Sequence, residues 1–427
     1  MKILVLGSGG REHAICWKIA SELKGGRLYA CPGNAGIAEI ADVVDVRPND
    51  YDGIASFALN ERIDITVVGP EAPLAAGIAD IFQRKSLKIF GPGKNAARLE
   101  SSKAWAKEFM MESGIPTGLF YTASDFNEAK KKVESSSYPL VLKYDGLAAG
   151  KGVFIARSLS EAIKFVEDVF EKNIFHAEKP RLVIEEFLSG REMSYLILTD
   201  GIDFIPLAPA RDYKRVFDGD EGPNTGGMGC YSPVPSFTPK LEKLLQEKIV
   251  RPTLNGLQKK GIQYCGILYF GIIMTANGPK VLEYNVRFGD PETEVILPRL
   301  KSNLIELMEA AISGEVGKID AVWSKKTAVD VVLASGGYPG QYETGKLITG
   351  LDKVSADILI FHSGTRKSEQ GIHTAGGRVL NVVATGQTFT GARKKAYDAL
   401  AKISFESMHY RKDIGMDVAL GEVEKHR

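Results

Sequence analysis

The chain opens on a short apolar run, Ile3 to Leu6, that passes directly into Gly7-Ser8-Gly9-Gly10 and then into a helical pattern. No other stretch restricts the fold as much. Apolar residues bounded by glycine read as a buried strand, and Ile15, Ile19 and Leu23 recur on one face of the helix after the turn. Strand, glycine turn and helix form the repeating unit of a parallel sheet covered by helices, and the unit aims a helix N-terminus at any anion bound above the sheet. A dinucleotide-binding fingerprint would need a third glycine where Glu12 stands, which argues against an NAD-dependent dehydrogenase. Further strands are expected from Ile63 to Val68 and from Leu87 to Phe90, ending in Gly69-Pro70-Glu71 and Gly91-Pro92. Ligands of open α/β sheets gather at the carboxyl ends of strands, so Glu71 stands where a ligand would meet it.

A second stretch carries chemistry. Val281-Leu282-Glu283-Tyr284-Asn285-Val286-Arg287 reads as a strand that closes in Phe288-Gly289-Asp290-Pro291. Residues two apart share a face, so Glu283, Asn285 and Arg287 align. A carboxylate and an amide oxygen beside a guanidinium suit Mg²⁺ with bound phosphates, although a solvated polar face gives the same pattern. The strand is the second arm of a hairpin turning at Ala276-Asn277-Gly278. Upstream, Ser101 or Ser102 caps a helix from Lys103 to about Ser113, and a lysine in a first helical turn calls for a nearby anion. Strand Tyr138 to Lys143 leads into Gly146-Leu147-Ala148-Ala149-Gly150-Lys151-Gly152 and then strand Val153 to Ala156. This is not a P-loop: the glycine gap is one residue short, Gly152 replaces the hydroxyl residue, and a strand comes next instead of a helix. A glycine hairpin with lysines still suits phosphate cover. Ser160 is the expected cap of a helix through Phe170. Strand Leu182 to Ile184 runs into Glu185-Glu186-Phe187-Leu188, whose backbone suits an adenine edge while Glu192 suits ribose hydroxyls; surface charge is the plainer reading of the two glutamates. The long irregular segment from Pro206 to Pro239, with Asp212 and Asn224-Thr225-Gly226-Gly227, reads as a substrate loop. A helix from Leu241 to Lys260 is expected to kink at Pro252. A helix from Asn303 to Ser313 stops at Gly314, and the polar stretch 318–326 looks like a boundary. The last hundred residues read as a small α+β domain.

At 427 residues the chain has room for two to four domains. A net charge of +1 offers no attraction to nucleic acid or an acidic membrane surface. Cys16, Cys31, Cys230 and Cys265 lack CxxC spacing and read as reduced, packed thiols. No apolar run has membrane-spanning length, and a cytoplasmic protein is expected.

In order, the glycine hairpin with Lys143, the Glu185 to Leu188 exit and the Glu283 to Arg287 strand resemble an ATP-grasp ligase. Gly9-Gly10-Arg11-Glu12-His13, Gly69 to Leu74, Pro223 to Gly229 and Arg287 to Thr293 narrow the likeness to the phosphoribosylamine–glycine ligases, also called glycinamide ribonucleotide synthetases, over essentially the whole chain, including Arg411-Lys412-Asp413-Ile414-Gly415. The resemblance implies that ATP, glycine and 5-phosphoribosylamine give glycinamide ribonucleotide, ADP and phosphate through glycyl phosphate, with Mg²⁺ or Mn²⁺. It implies an α/β and α+β multidomain fold: a Rossmann-like domain over 1–102, an ATP-grasp core over 103–320 with a mobile lid near 122–190, and a small α+β domain over 321–427. A monomer or weak homodimer is expected. Under the resemblance, Lys103, Lys143, Gly146, Gly150, Lys151 and Gly152 attend the ATP phosphates, and Glu185, Glu186, Phe187, Leu188 and Glu192 the nucleoside. Glu283 and Asn285 hold the metal, and Arg287 offsets charge at the acyl phosphate. Gly9, Gly10 and Glu71 face phosphoribosylamine, with Arg378 at its phosphate; Asp212, Asn224, Thr225, Gly226 and Gly227 face glycine, and Asp290 lies among the substrate contacts. Many ATP-grasp enzymes carry a further metal-binding acid on the strand where this chain has Tyr269. Another ATP-grasp carboxylate–amine ligase, and a non-catalytic nucleotide-binding module, are the alternatives.

Overall fold

The computed structural model describes residues 1–148 and 152–425. Strand Lys2–Gly7 and helix Gly10–Glu22 form where the opening pattern places them. The amino-terminal sheet is parallel, in the order Asp42–Val43, Arg27–Pro32, Lys2–Gly7, Ile65–Val68, Ile89–Phe90. Strand order reverses between Lys2–Gly7 and Ile65–Val68, which opens a crevice at their carboxyl ends. The Glu12 side chain fills it: a Cβ added to Gly7 or Gly69 would lie 2.4 or 2.1 Å from it.

Two antiparallel sheets come next. One orders Phe204–Pro206, Arg191–Thr199, Gly266–Thr275 and Gly278–Asn285. The other orders Phe120–Ala123, Leu182–Glu186, Leu140–Tyr144 and Val153–Ala156. The latter packs helices Phe126–Glu134 and Leu159–Phe170 around an apolar core of its own, which includes Leu142, Val166 and Ile184. Helix Leu159–Phe170 is capped by Ser158, whose Oγ accepts from the Glu161 N–H at 3.3 Å, and not by Ser160. Ser158 has a glutamate three residues on, as a capping box requires; Ser160 has Ile163 there.

The segment 206–239 is more ordered than its composition suggests. Arg215–Phe217 and Glu221–Asn224 form a hairpin. Arg211–Asp212 and Gly229–Ser232 are strands of the carboxy-terminal sheet, where Gly229–Ser232 pairs with Thr327–Ser335. That sheet continues through Arg378–Gly386 to Ile358–His362. The boundary expected near residue 320 is therefore not a seam in the backbone pairing. Strands of two to four residues carry too little alternation to be read locally, and their partners lie far along the chain. The run 241–260 is helix Pro239–Leu245, a π turn Gln246–Val250 and helix Arg251–Lys259; Pro252 lacks the N–H that a regular helix would use there. Asn303 caps Leu304–Ser313, and Gly314, at φ 70°, ends it. The four cysteines are free thiols, three of them buried. Among the described residues no helix is long and apolar enough to cross a membrane.

Candidate active site

The site is built on the hairpin of Gly266–Thr275 and Gly278–Asn285. Ile272 faces Val281 and the next pair is Gly271 with Glu283, so Leu282 is an extra residue, a bulge. The Leu282 carbonyl accepts from Lys143 Nζ at 3.0 Å. The strand ends at Asn285, and Arg287 lies beyond it instead of extending a regular face. The two still meet: Arg287 Nη2 donates to Asn285 Oδ1 at 3.2 Å.

Lys143 pairs with Glu185 at 2.9 Å, and Lys107 takes the other carboxylate oxygen at 2.7 Å. Glu185 is 3% exposed, so the surface-charge reading fails for it, and its carboxylate fixes two lysines. Alternation turns Glu186 outward, where it accepts from Lys280 Nζ and the Leu119 N–H, each at 2.9 Å. Phe187 and Leu188 come after it, exposed and half-buried. Lys103 Nζ donates to the Gly146 carbonyl at 2.8 Å. The anion its helix calls for is Asp145, which accepts from the Ala104 N–H at 3.1 Å. Gly146 lies against Tyr144, whose ring a Cβ would meet at 2.6 Å, and Gly152 lies against Ala148. Gly150 and Lys151 fall outside the described residues.

Burial would raise the Glu283 carboxyl, but Lys214, Lys143 and Lys103 hold it down at about 2. Lys214 Nζ lies 3.4 Å from Glu283 and 3.8 Å from Glu192. Burial pushes Lys103 and Lys107 the other way, with Lys143 adding to it, and Lys107 falls to about 8. Arg287 pairs with Glu100 at 2.9 Å and Glu71 at 3.5 Å. Burial alone would depress it; Glu100 and Glu71 more than offset that and keep it charged. Burial likewise works against the Glu71 carboxylate, yet Arg287 and Arg11 bring it below the usual range.

Elsewhere the structure departs from the expected contacts. The Gly9 N–H, expected to face phosphoribosylamine, is taken by Glu12 Oε2 at 2.6 Å. Gly10 permits a close approach of the carboxy-terminal region, since a Cβ would stand 2.2 Å from Asn381 Nδ2 and 2.7 Å from Glu294 and Ser363. Arg378, expected at a phosphate, braces two loops: Nη1 donates to the Gly226 carbonyl at 2.8 Å and to the Asp290 carbonyl at 3.1 Å, with the Asp290 carboxylate 2.9 Å away as an ion pair. Thr225 Oγ1 donates to the Lys214 carbonyl at 2.8 Å and accepts from the Gly227 N–H at 3.0 Å, while Asn224 pairs with Arg215 in the hairpin. Asp212 lies beside Gly227, which at φ +118° leaves no room for a Cβ; one would stand 2.7 Å from Asp212 Oδ1. That oxygen has no hydrogen-bond partner among the described residues, and burial, with Glu292 adding, pushes the carboxyl well up. Glu294 and Asp330 are buried without hydrogen-bond partners among the described residues and pushed up as well, by burial first. Tyr269 Oη meets Ser194 Oγ at 3.0 Å, and Ser194 donates to Glu292 at 2.7 Å.

Glu100, Lys107, Asp145 and Lys214 are site residues that sequence reasoning alone does not single out. Lys107 has a signal, lying four residues after Lys103 on the same helical face. Lys214 has one too, two residues from Asp212 in extended chain. Glu100 and Asp145 have none. As a donor set, ionised Glu283 and the Asn285 amide oxygen fit a hard divalent cation that keeps waters. The lysines around Glu283 disfavour a bare cation and favour one that arrives with phosphates.

Models of the phosphoribosylglycinamide synthetase N domain, ATP-grasp (A) domain and C domain match residues 1–100, 101–293 and 328–417. The chain belongs to the phosphoribosylglycinamide synthetase family. Its curated relatives include the phosphoribosylamine–glycine ligase of Halalkalibacterium halodurans, 46% identical over 97% of this chain and 96% of that one. The ligase of the same name from Caldanaerobacter subterraneus is 45% identical over 97% and 99%. The crystal structure of the Thermotoga maritima phosphoribosylamine–glycine ligase superposes with a TM-score of 0.85 at 38% identity, covering 97% of this chain and all of that one. A biotin carboxylase domain from Hydrogenobacter thermophilus shares the fold alone, at 17% identity and a TM-score of 0.74. Within the phosphoribosylglycinamide synthetase family, the central match is the ATP-grasp domain, and it holds Lys103, Lys143, Glu185 and Glu283.

Proposed function

We propose that this chain ligates glycine to 5-phosphoribosylamine at the expense of ATP, giving glycinamide ribonucleotide, ADP and phosphate, the second step of purine biosynthesis. The observation that carries the reading is the Glu283 carboxylate held among Lys103, Lys143 and Lys214 at the end of the hairpin. The family relatives support the substrates by name.

The chemistry needs activation, because a carboxylate oxygen is a poor leaving group. Glycine's carboxylate attacks the γ-phosphorus of ATP, the bond to the β-phosphate oxygen breaks, and ADP leaves. The amine of phosphoribosylamine then attacks the glycyl carbonyl and expels phosphate, losing a proton as the amide forms. Such transfers depend on positioning and charge neutralisation. Lys103 and Lys143 receive the phosphates, and the hairpin around Gly146 and Gly152 covers them, which shields the acyl phosphate from water. Glu283 and Asn285 hold Mg²⁺ or Mn²⁺, which supplies charge neutralisation at the phosphates. Arg287 faces charge developing at the acyl phosphate, and Asp212 accepts glycine's ammonium. Gly10 and Glu71 border the phosphoribosylamine site, between the amino-terminal sheet and the core. We further infer the division at 102 and 320, a cytoplasmic location and a monomer or weak homodimer.

The test is ADP release with Mg²⁺, glycine and freshly prepared phosphoribosylamine, each omitted in turn. Release that requires all three is expected, and ADP formation indifferent to glycine would sink the reading.

A further inference from the structure

The sequence motif Arg411 to Gly415 lies in the carboxy-terminal region and takes no part in the chemistry above. Arg411 is nonetheless among the largest fully buried side chains, at 1% exposure. Its guanidinium binds both oxygens of Asp413, at 2.8 and 2.6 Å. The remaining nitrogen donates to the Arg215 carbonyl at 3.1 Å and to Asp220 at 2.8 Å, both on the 215–224 hairpin. The guanidinium carbon also lies 4.8 Å over the ring of Tyr213. Neighbouring groups grip the same loop. Tyr213 Oη donates to Asp417 at 2.9 Å and accepts from the Gly415 N–H at 3.0 Å. The Gly219 N–H donates to Asp413 at 2.9 Å, and the Lys412 N–H donates to Asp218 at 2.7 Å.

Tyr213 stands between Asp212 and Lys214. In extended chain its ring points one way and theirs the other. The ring meets Arg411, while Lys214 reaches Glu283 at 3.4 Å and Asp212 lies under Gly227. A residue sequentially distant from the chemistry thus fixes the back of the segment whose front faces the substrates. A planar five-donor fork is the side chain suited to hold an aromatic face, a carbonyl and two carboxylates together.

We propose that Arg411 is a positioning residue for ligation, setting Asp212 and Lys214 against Glu283 through Tyr213 and the 215–224 hairpin. The proposal rests on the reaction assigned above.

The test compares steady-state kinetics of the full chain with Arg411→Met and Asp220→Asn. Lys103, Lys143 and Glu185 do not touch Arg411, so the effect should divide between substrates. For Arg411→Met the glycine KM is expected to rise at least about tenfold with the ATP KM within about twofold, the scale of one lost charge-assisted contact. A merely structural role would remove active protein, lowering kcat and leaving both KM values unchanged. Unchanged KM values, or glycine and ATP values rising together, would overturn the proposal. Asp220 is 58% exposed, so its variant is expected to fold even if Arg411→Met does not. It should raise the glycine KM in the same direction by a smaller factor, and an unchanged value there would also overturn the proposal. Failure of the wild type to release ADP with glycine would instead refute the assigned reaction.

Discussion

On the side proposed for the nucleotide, Lys103, Lys107, Lys143 and Lys214 gather around the carboxylates of Glu185 and Glu283, with Asp145 and Glu192 beside them. On the side proposed for glycine and phosphoribosylamine, Asp212, Glu294 and Asp330 hold buried oxygens without hydrogen-bond partners among the described residues, and Arg378 donates to the Asp290 and Gly226 carbonyls. The first side gathers cations around its carboxylates, and the second gathers carboxylates. Burial shows it in both directions, depressing Lys103 and Lys107 while raising Asp212, Glu294 and Asp330. The arrangement suits the ligands proposed above: phosphates on the first side, an ammonium on the second. The difference teaches that unsatisfied charge can be read as the outline of what binds.

Substitutions can break this contrast. Glu283→Ala removes the carboxylate around which the lysines are arranged, and turnover should fall at least about a hundredfold, the scale of a lost transition-state electrostatic contact. Near-normal turnover at saturating Mg²⁺ would dissolve the nucleotide side as described. Asp212→Asn should raise the glycine KM by about ten- to a hundredfold, as a charge-assisted hydrogen bond is lost. The same residue gives a pH signature. Its carboxyl lies above the usual range in the free protein, and a bound ammonium favours the ionised form, so binding expels a proton. The glycine KM should therefore fall as pH rises towards that raised pKa and level off above it. A plot of KM against pH should be flat at that point for Asp212→Asn.

Lys107 sharpens the nucleotide side. Its folded-state pKa of about 8 lies below the ordinary lysine value of 10.5, so between them the unfolded chain binds more protons. Stability should rise with pH across that window, and urea midpoints for Lys107→Met should lack this rise. The smallest effect is a control remote from both sides: Ser158→Ala should cost about 1 kcal/mol in urea unfolding for a lost cap and leave both KM values unchanged.

How much of this is legible in the sequence depends on range. The opening strand and helix, the hairpin at Asn277-Gly278 and the cap at Asn303 are local, and each forms as its pattern requires. Glu283 and Asn285 are legible because alternation along one strand brings them together. Glu100 is not, because its contact with Arg287 joins residues far apart in the chain and nothing near Glu100 marks it. Glu185 reads as surface charge because a buried glutamate between two lysines has the same local sequence as a solvated one. Strands Arg211–Asp212 and Gly229–Ser232 are hidden for a similar reason, since their pairing order is set by Thr327–Ser335.

That last pairing also sets a schedule for synthesis. Strand Gly229–Ser232 leaves the ribosome well before Thr327–Ser335. At ordinary elongation rates the interval of roughly a hundred residues lasts about 5 to 20 s. During it the segment carrying Asp212 and Lys214 has an open strand edge and no Arg411 behind it. The nascent chain can complete its parallel sheet early, but the segment 206–239 is among the last parts to take shape, and a chain cut short before residue 327 would present that edge to any neighbouring strand.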